Sequence, residues 1–284
     1  MHATPLNSLE RKRIMGKIGN AISEIHHMDT MAAKNQWVNR IHPLVKFVLT
    51  IVYLATVVSF HKYDIIGLMG MVVYPLAMFI LAELSFRDSM KRLRVVLPLV
   101  CVIGIFNPFF DRIPVQIGGL TLNSGVISML TLMIKGVLTV LASYVLIATT
   151  SIEKLCYAFR LIHIPKILVT QILLTYRYIM VLLEEVNRVT QAYALRAPNQ
   201  RGIHFKVWGS LTGQLLLRSM DRAGIVYESM TLRGYHGDFD YMAVKIHWRW
   251  QDVLFAAVWL CIFFIFRKIP VIVVMGNLVG GLFG

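Results

Sequence analysis

The sequence contains none of the short motifs that mark common catalytic sites. No glycine-rich phosphate loop of the Walker type is present, which excludes ATP hydrolysis by that route. A nucleophile elbow and the His-Glu-x-x-His motif of metallohydrolases are also missing. We therefore predict that the chain is not an enzyme, with no catalytic residues, and that it binds no cofactor.

Cysteine and acidic residues are both scarce. The three cysteines, Cys101, Cys156 and Cys261, have no metal-ligand spacing, which argues against a disulfide framework or a zinc site. Only 15 residues are acidic against 29 Lys and Arg, and the formal net charge is +14. A basic chain can bind nucleic acid, but 57% of these 284 residues are hydrophobic and the mean hydropathy is +0.64. A chain this apolar is predicted to lie in the lipid bilayer and to bind no nucleic acid.

Apolar segments and basic clusters together predict the membrane topology. The apolar segments 44–60, 65–86, 95–110 and 124–150 are predicted to be four spans. Pro43 is well placed to open the first span, and Pro75 should kink the second. Basic residues cluster at 87–94 and 151–249, and the positive-inside rule assigns both segments and the N-terminus to the cytosol.

The predicted fold class is all-α, a polytopic helix bundle in the inner or plasma membrane with long cytosolic helices. Its predicted parts are a cytosolic N-terminal segment (1–43), the transmembrane bundle (44–150), a cytosolic helical region (151–250) and a C-terminal transmembrane segment (251–284). Residues 18–33 are predicted to form an amphipathic helix, and 111–123 an external hairpin or strand-like excursion. Residues 164–183 could span, although a helix packed under the bundle suits the topology better, and 253–283 could cross once or twice.

The sequence does not decide the roles of three side chains, those of Lys135, His26 and His27. Lys135 lies inside a predicted span, where it either snorkels to the interface or pairs with a buried acid such as Glu83. His26 and His27 are adjacent and cannot share one helical face, so solvated side chains are favoured over a metal site. We predict no metal ligands in the chain.

Two predicted helices carry an arginine in their last turn. The first, residues 184–197, should end before Pro198, and the second, from about 207 to 233, should end at Gly234 in a left-handed conformation. An arginine at a helix C-terminus can simply complement the helix dipole. Two such ends, at Arg196 and Arg233, instead predict a pair of exposed guanidiniums that fit an acidic groove on a partner.

The residues around these two arginines resemble a known motif pair. Leu195-Arg196-Ala197 and Leu232-Arg233-Gly234 are similar to the paired Ala-Arg-Gly motifs of the transmembrane (T) component of energy-coupling-factor (ECF) transporters. Leucine replaces the motif alanine in both copies, and Ala197 replaces the glycine of the first. Further likeness, covering about 28–238 in all, lies in Met28-Asp29, His42-Pro43-Leu44-Val45-Lys46, Thr175-Tyr176-Arg177-Tyr178, Glu184-Glu185 and Leu217 to Ala223. The N-terminal part resembles the cobalt-type, CbiQ-like branch.

This resemblance implies a function and partners. The chain would be the membrane-embedded coupling subunit of an ATP-driven importer, and residues 151–250 its coupling-helix region. It would link two cytosolic ABC ATPase subunits, which use the ATP, to a membrane substrate-binding (S) subunit. The substrate would be cobalt, with nickel or a vitamin as alternatives. The coupling residues would be those of the two motifs, Leu195, Arg196, Ala197, Leu232, Arg233 and Gly234, supported by Arg218, Asp221, Arg222 and Met230.

Two hypotheses from other classes compete with transport. An intramembrane lipid-modifying enzyme would use Asp221, Arg222 and His236, although the acidic residues do not form an Asp-x-x-Asp metal-binding pair. A structural scaffold would bind anionic lipid through its arginines. Co-purification of ATPase subunits, set against lipid turnover by the isolated protein, separates these hypotheses.

Overall fold

The protein is predominantly helical, as predicted. A computed structural model describes residues 19, 23–34, 36–105, 114–117, 120–197, 203–235, 237 and 247–268. Its helices are α1 (23–33), α2 (Trp37–Arg40), α3 (Pro43–Ser59), α4 (Ile65–Gly70), α5 (Val73–Leu81), α6 (Phe86–Ile105), α7 (Ser124–Thr149), α8 (Ile152–Leu161), α9 (Lys166–Arg196), α10 (Phe205–Leu232) and α11 (Trp250–Lys268). Within the described ranges, α7, α9 and α11 are long and apolar enough to cross a membrane.

The chain divides into two compact units. The bundle unit comprises Met31–Ala158 and Lys245–Gly284, and it contains α2 to α7 and α11. The arginine unit comprises Met1–Thr30 and Phe159–Val244, and it contains α9 and α10. The predicted single or double crossing of 253–283 is described only as far as Lys268, where α11 ends.

Aromatic side chains form the centre of the bundle unit. Tyr53 of α3 is fully buried, and its ring centroid lies 4.6 Å from that of Tyr74 on α5 and 5.3 Å from that of Phe263 on α11. Trp259 packs edge-on against Tyr74 at 4.9 Å. Such pairs contribute attraction beyond the area they bury, so these rings fix α3, α5 and α11 against one another.

Pro75 interrupts the backbone hydrogen bonds of the helix in the second apolar segment, as predicted. The interruption lies at residues 71–72, about one turn before the proline itself. A proline has no N–H for the carbonyl four residues before it, which here is that of Met71. The helix is interrupted at this point, because α4 ends at Gly70 and α5 begins at Val73. The Met71 carbonyl instead accepts a hydrogen bond from the Tyr53 hydroxyl at 2.9 Å. A buried tyrosine thus satisfies the acceptor that the proline leaves without a partner.

The basic segment 87–94 is helical rather than a loop preceding a span. Helix α6 begins at Phe86 and continues without interruption to Ile105, so the helix that contains the predicted third span already starts nine residues before Val95. Lysine and arginine are good helix formers, and the apolar segment that follows extends the same helix. The predicted end of this span, at residues 106–110, lies outside the described residues.

The excursion predicted after α6 contains a hairpin. Strand β1 (Pro114–Ile117) pairs antiparallel with β2 (Leu120–Asn123), with Val115 opposite Leu122. Helix α7 starts at Ser124, directly after β2. The helix of the predicted fourth span therefore begins where expected. It follows a strand pair in the segment 111–123, whose content of Gly and β-branched residues predicts a hairpin or strand-like excursion.

Lys135 does not pair with Glu83. Its ammonium group donates hydrogen bonds to the carbonyl oxygens of Val58 at 3.1 Å and Phe60 at 2.5 Å, at the C-terminal end of α3. Glu83 instead accepts a hydrogen bond from the side-chain amide of Gln36 at 3.1 Å. The last carbonyls of a helix lack intrahelical donors, and a cation at this end also complements the helix dipole.

A buried polar cluster, here named the polar joint (His42, Lys46, Thr149 and Asp252), connects three helix ends. Asp252 of α11 is 2% exposed, and its carboxylate accepts the backbone N–H groups of His42 at 3.1 Å and Arg249 at 3.0 Å. The Lys46 ammonium donates to the carbonyl of Thr149 at 2.7 Å. The polar joint therefore satisfies groups at the starts of α3 and α11 and at the end of α7.

Gly70 of α4 packs directly against the ring of Phe266 on α11. A Cβ added at Gly70 would lie 2.7 Å from Cδ1 of Phe266, closer than two carbon atoms can pack. We expect Gly70→Ala to destabilise the purified protein by about 1–3 kcal/mol, measured by thermal unfolding in detergent. Gly224→Ala on α10 is the control, because its added methyl group meets nothing within 4 Å. Equal melting of the two variants would contradict close packing at Gly70.

Candidate functional site

Helix α9 joins two segments that the sequence analysis treated separately. The apolar segment 164–183, predicted to be a span or a helix under the bundle, and the predicted helix 184–197 form one helix from Lys166 to Arg196. Its length and composition are compatible with a membrane span. The predicted preference for a helix packed under the bundle remains a prediction.

The C-terminus of α9 presents an exposed arginine. Arg196 is the last helical residue and is exposed, as predicted. Ala197 caps the helix with a φ of −124° and donates its N–H to the carbonyl of Tyr193 at 3.0 Å. The helix therefore ends without a left-handed residue at Ala197, and Pro198, predicted to terminate it, lies outside the described residues.

The C-terminus of α10 has a different geometry. Gly234 adopts a φ of +85°, as predicted, and donates its N–H to the carbonyl of Thr231 at 3.0 Å. The N–H of Tyr235 reaches the carbonyl of Met230 at 3.0 Å. These two hydrogen bonds define a Schellman motif, which holds Arg233 at the C-cap position with its side chain exposed. The two arginine-bearing ends are therefore not alike.

Helix α10 buries almost nothing within its own chain. None of its described residues is buried, although the sequence places apolar residues along one face. Leu216, Met220 and Tyr227 of that predicted stripe are 59%, 63% and 63% exposed. Apolar side chains at helical spacing normally cover a core. Here they form an exposed apolar surface, and Leu232 at the end of the helix, on another face, is 88% exposed.

The supporting residues lie on α10, at and beside its contact with α9. Arg218 of α10 forms an ion pair with Glu185 of α9, and the Arg188 guanidinium lies 3.9 Å from the second oxygen of the same carboxylate. Asp221 and Arg222 line an open pocket between α9 and α10 and are exposed. Met230, one turn before Arg233, is half-buried. The sequence gives no role to Glu185, because its separation from Arg218 along the chain does not indicate that the two side chains meet.

A second contact holds the N-terminal helix within the arginine unit. The Tyr176 hydroxyl on α9 donates a hydrogen bond to a carboxylate oxygen of Asp29 on α1 at 2.6 Å. Both residues occur in segments that resemble the ECF family, but the sequence did not indicate that they meet. His26 and His27, on the same helix α1, are exposed.

Within the part of the chain that the structure describes, neither Arg196 nor Arg233 has an acidic partner. Among the described residues, Arg196 and Arg233 form no ion pair, whereas Arg218 and Arg188 share Glu185. His236 of the proposed lipid-modifying site lies outside the described residues. The described residues also contain no group of three His, Cys, Asp or Glu side chains that could hold a metal ion. What remains is a surface with two exposed guanidiniums and an apolar helix face.

A family model described as "Cobalt transport protein" (CbiQ) matches residues 34–248, a range that includes both arginine-bearing helices. The chain belongs to this family. It is a CbiQ-like T component of an ECF transporter, and hence a membrane protein with a role in transport, as the resemblance implied.

Three curated proteins illustrate the relationship. The chain is 24% identical over 240 residues to the "Energy-coupling factor transporter transmembrane protein EcfT" of Listeria innocua, which covers 77% of this chain and 88% of that protein. It is 26% identical over 121 residues to the "Nickel permease LarQ" of Lactiplantibacillus plantarum, which covers 42% and 44%. It is 32% identical over 133 residues to an uncharacterized protein, MJ1089, of Methanocaldococcus jannaschii, which covers 46% and 47%.

Proposed function

We propose that this T component couples ATP hydrolysis by two cytosolic ABC ATPase subunits to the uptake of cobalt through a membrane S subunit. The observation that carries the proposal is the pair of exposed arginines, Arg196 and Arg233, at the C-terminal ends of two contacting helices. Among the described residues neither guanidinium has an acidic partner, so both are available to carboxylates on another subunit.

The exposed face of α10 supports an additional protein contact. No residue of this 28-residue helix is fully buried, and most helical stability in proteins comes from packing an apolar face, which favours a partner on its exposed side. Phe205 and Trp208 at the start of α10 are 90% and 52% exposed, and Leu232 at its end is 88% exposed. Membrane partners would cover the apolar face, and acidic grooves on the ATPases would receive the arginines.

Ion pairs and continuous helices would allow a movement of the ATPases to reach the membrane. A bidentate guanidinium–carboxylate pair resists both sliding and rotation, and a continuous helix transmits the movement of its end along its axis. Closure of the ATPases would therefore displace α9 and α10, whose motion reaches the membrane-embedded S subunit. In this proposal the N-terminus and both arginine ends lie in the cytosol.

Nickel is the second candidate substrate, because one relative is named a nickel permease. Cells that express this chain with its cognate ATPases and S subunit are expected to accumulate radiolabelled cobalt more rapidly than nickel or a vitamin. Cells that lack only this chain are the control and should accumulate none above background. Uptake of a vitamin alone would refute the cobalt assignment, and preferential nickel uptake would replace it.

A further inference from the structure

No residue of α10 is fully buried at its contact with α9, and its apolar side chains reach at most half-burial, as at Leu211, Leu215 and Val226. Leu182, Leu215 and Ile225 contribute apolar surface, but they line an open pocket rather than a closed interface. Apolar packing therefore provides little resistance to sliding or rotation of α10 on α9.

An ion pair crosses the two helices at this pocket. Glu185 on α9 retains only 17% exposure of its side chain, and one of its oxygens accepts a hydrogen bond from Nη1 of Arg218 on α10. Its other oxygen lies 3.9 Å from Nη1 of Arg188, one turn along α9. Of the two guanidiniums, only that of Arg218 lies within hydrogen-bond distance of the carboxylate, so Arg218 orients Glu185 and the highly exposed Arg188 adds little.

From this geometry we infer that Glu185 is a positioning residue, which sets the crossing of α10 on α9 through Arg218 and thereby fixes the separation of Arg196 and Arg233. Exposed ion pairs are generally weak because water competes for both charges. At this contact, however, the pair is the directional element in an interface with little apolar packing. Loss of a weak interaction can then change the geometry, even where it changes the stability of the protein little.

A small change in the crossing angle of the two helices produces a larger displacement at their C-terminal ends. Glu185 lies eleven residues before Arg196 and Arg218 lies fifteen before Arg233, which correspond to about 16 Å and about 22 Å along the two helix axes. A change of roughly 10° in the crossing angle would move the far end of α10 by about 4 Å over that length. A shift of this size exceeds the tolerance of a bidentate ion pair.

The inference deepens the proposed function and rests on it, but its test does not need partner subunits. Spin labels at Ala192→Cys and Ser229→Cys, two exposed positions one turn before each arginine, report the separation of the helix ends in the purified chain. Cys101, Cys156 and Cys261 are first replaced by serine. The parent should give one narrow distance distribution. Glu185→Gln and Arg218→Gln should each broaden it by about 5 Å, the rise of one helical turn.

Charge exchange distinguishes the ion pair from packing. The double variant Glu185→Arg with Arg218→Glu should restore the narrow distribution, while the control Arg188→Gln, whose parent side chain is 74% exposed, should leave it unchanged. An unchanged distribution in Glu185→Gln overturns the inference. Broadening that the exchange fails to reverse also overturns it, because the effect would then come from packing.

Uptake measured in the same variants separates this inference from the proposed function. If Glu185→Gln broadens the distance distribution and lowers uptake severalfold, and the exchange reverses both, positioning and coupling are linked. A broadened distribution with parental uptake keeps the positioning role of Glu185 but counts against coupling through the arginine ends. An unchanged distribution together with uptake that depends on Arg233 removes the positioning role and leaves the proposed function intact.

Discussion

Asp252→Ala is expected to destabilise the bundle unit by roughly 3–5 kcal/mol, the cost of breaking a buried charge network by removing one partner. In the parent protein the Asp252 carboxylate accepts hydrogen bonds from two backbone N–H groups, those of His42 and Arg249, and Asp252 is 2% exposed. Alanine would leave the buried N–H of His42 without an acceptor and would also remove the acceptor of the part-buried N–H of Arg249. It would also remove the negative charge that acts on the buried Lys46. The starts of α3 and α11 would then lose their common anchor.

Thermal unfolding of the purified protein in detergent, followed by tryptophan fluorescence, measures this effect. Trp248 is a suitable reporter, because its ring stacks on that of His42 with centroids 4.5 Å apart. Asp252→Asn keeps one acceptor oxygen and should cost less than alanine. Asp221→Ala, on the exposed face of α10, is the matched control and should change stability by less than about 0.5 kcal/mol. Similar melting of the Asp252→Ala and Asp221→Ala proteins would show that the polar joint does not stabilise the bundle.

The helical fold was predictable because apolar length and helix-ending residues carry most of the information. Helix α7 begins at Ser124, and α3 begins at Pro43 with the side chain of His42 as its N-cap. These boundaries follow from local chemistry, since a proline suits the first helical position. The left-handed conformation of Gly234 follows from local chemistry in the same way.

Features that depend on tertiary contacts could not be predicted from the sequence. The sequence identifies Pro75 as a break, but only the structure shows that Tyr53 compensates the free carbonyl of Met71. The sequence leaves both snorkelling and pairing with an acid such as Glu83 open for Lys135, and only the structure shows that carbonyls at the end of α3 are its partners. Periodicity cannot reveal which distant backbone groups remain unsatisfied.

The candidate site was predictable in its residues but not in its arrangement. Helix ends indicated Arg196 and Arg233, because a guanidinium in a last turn has a recognisable sequence context. The contacts of Glu185 with Arg218 and of Asp29 with Tyr176 join segments far apart in the chain, and a single sequence gives no pairing information. The apolar stripe of α10 correctly predicted a helix, but spacing alone does not say whether a chain covers its own apolar face or leaves it for a partner.

Arg233→Ala is expected to reduce ATPase retention and uptake more than Arg196→Ala, without unfolding the bundle unit. Truncating an arginine in a desolvated ion pair costs on the order of 2–5 kcal/mol of binding, because the partner carboxylate is left unpaired. Truncating a solvated helix cap costs well under about 1 kcal/mol. The measurements are the amount of ATPase subunit that co-purifies with the membrane protein and cobalt uptake by cells, for both single variants and the double variant.

The different geometries of the two helix ends explain why Arg233→Ala is expected to have a larger effect than Arg196→Ala. The Schellman motif holds Arg233 at the C-cap, and a Cβ added at the following Gly234 would meet nothing within 4 Å, so a partner backbone can approach closely. Arg196 is followed by Ala197, whose φ of −124° and methyl group provide no equivalent opening.

Arg233→Lys should lose most of the retention of the ATPase subunits as well, because an ammonium group lacks the bidentate fork. Arg188→Ala, which removes a highly exposed guanidinium elsewhere on α9, is the control and should retain the ATPases. Parental retention and uptake in both single variants and in the double variant would reduce Arg196 and Arg233 to helix caps and refute the coupling mechanism.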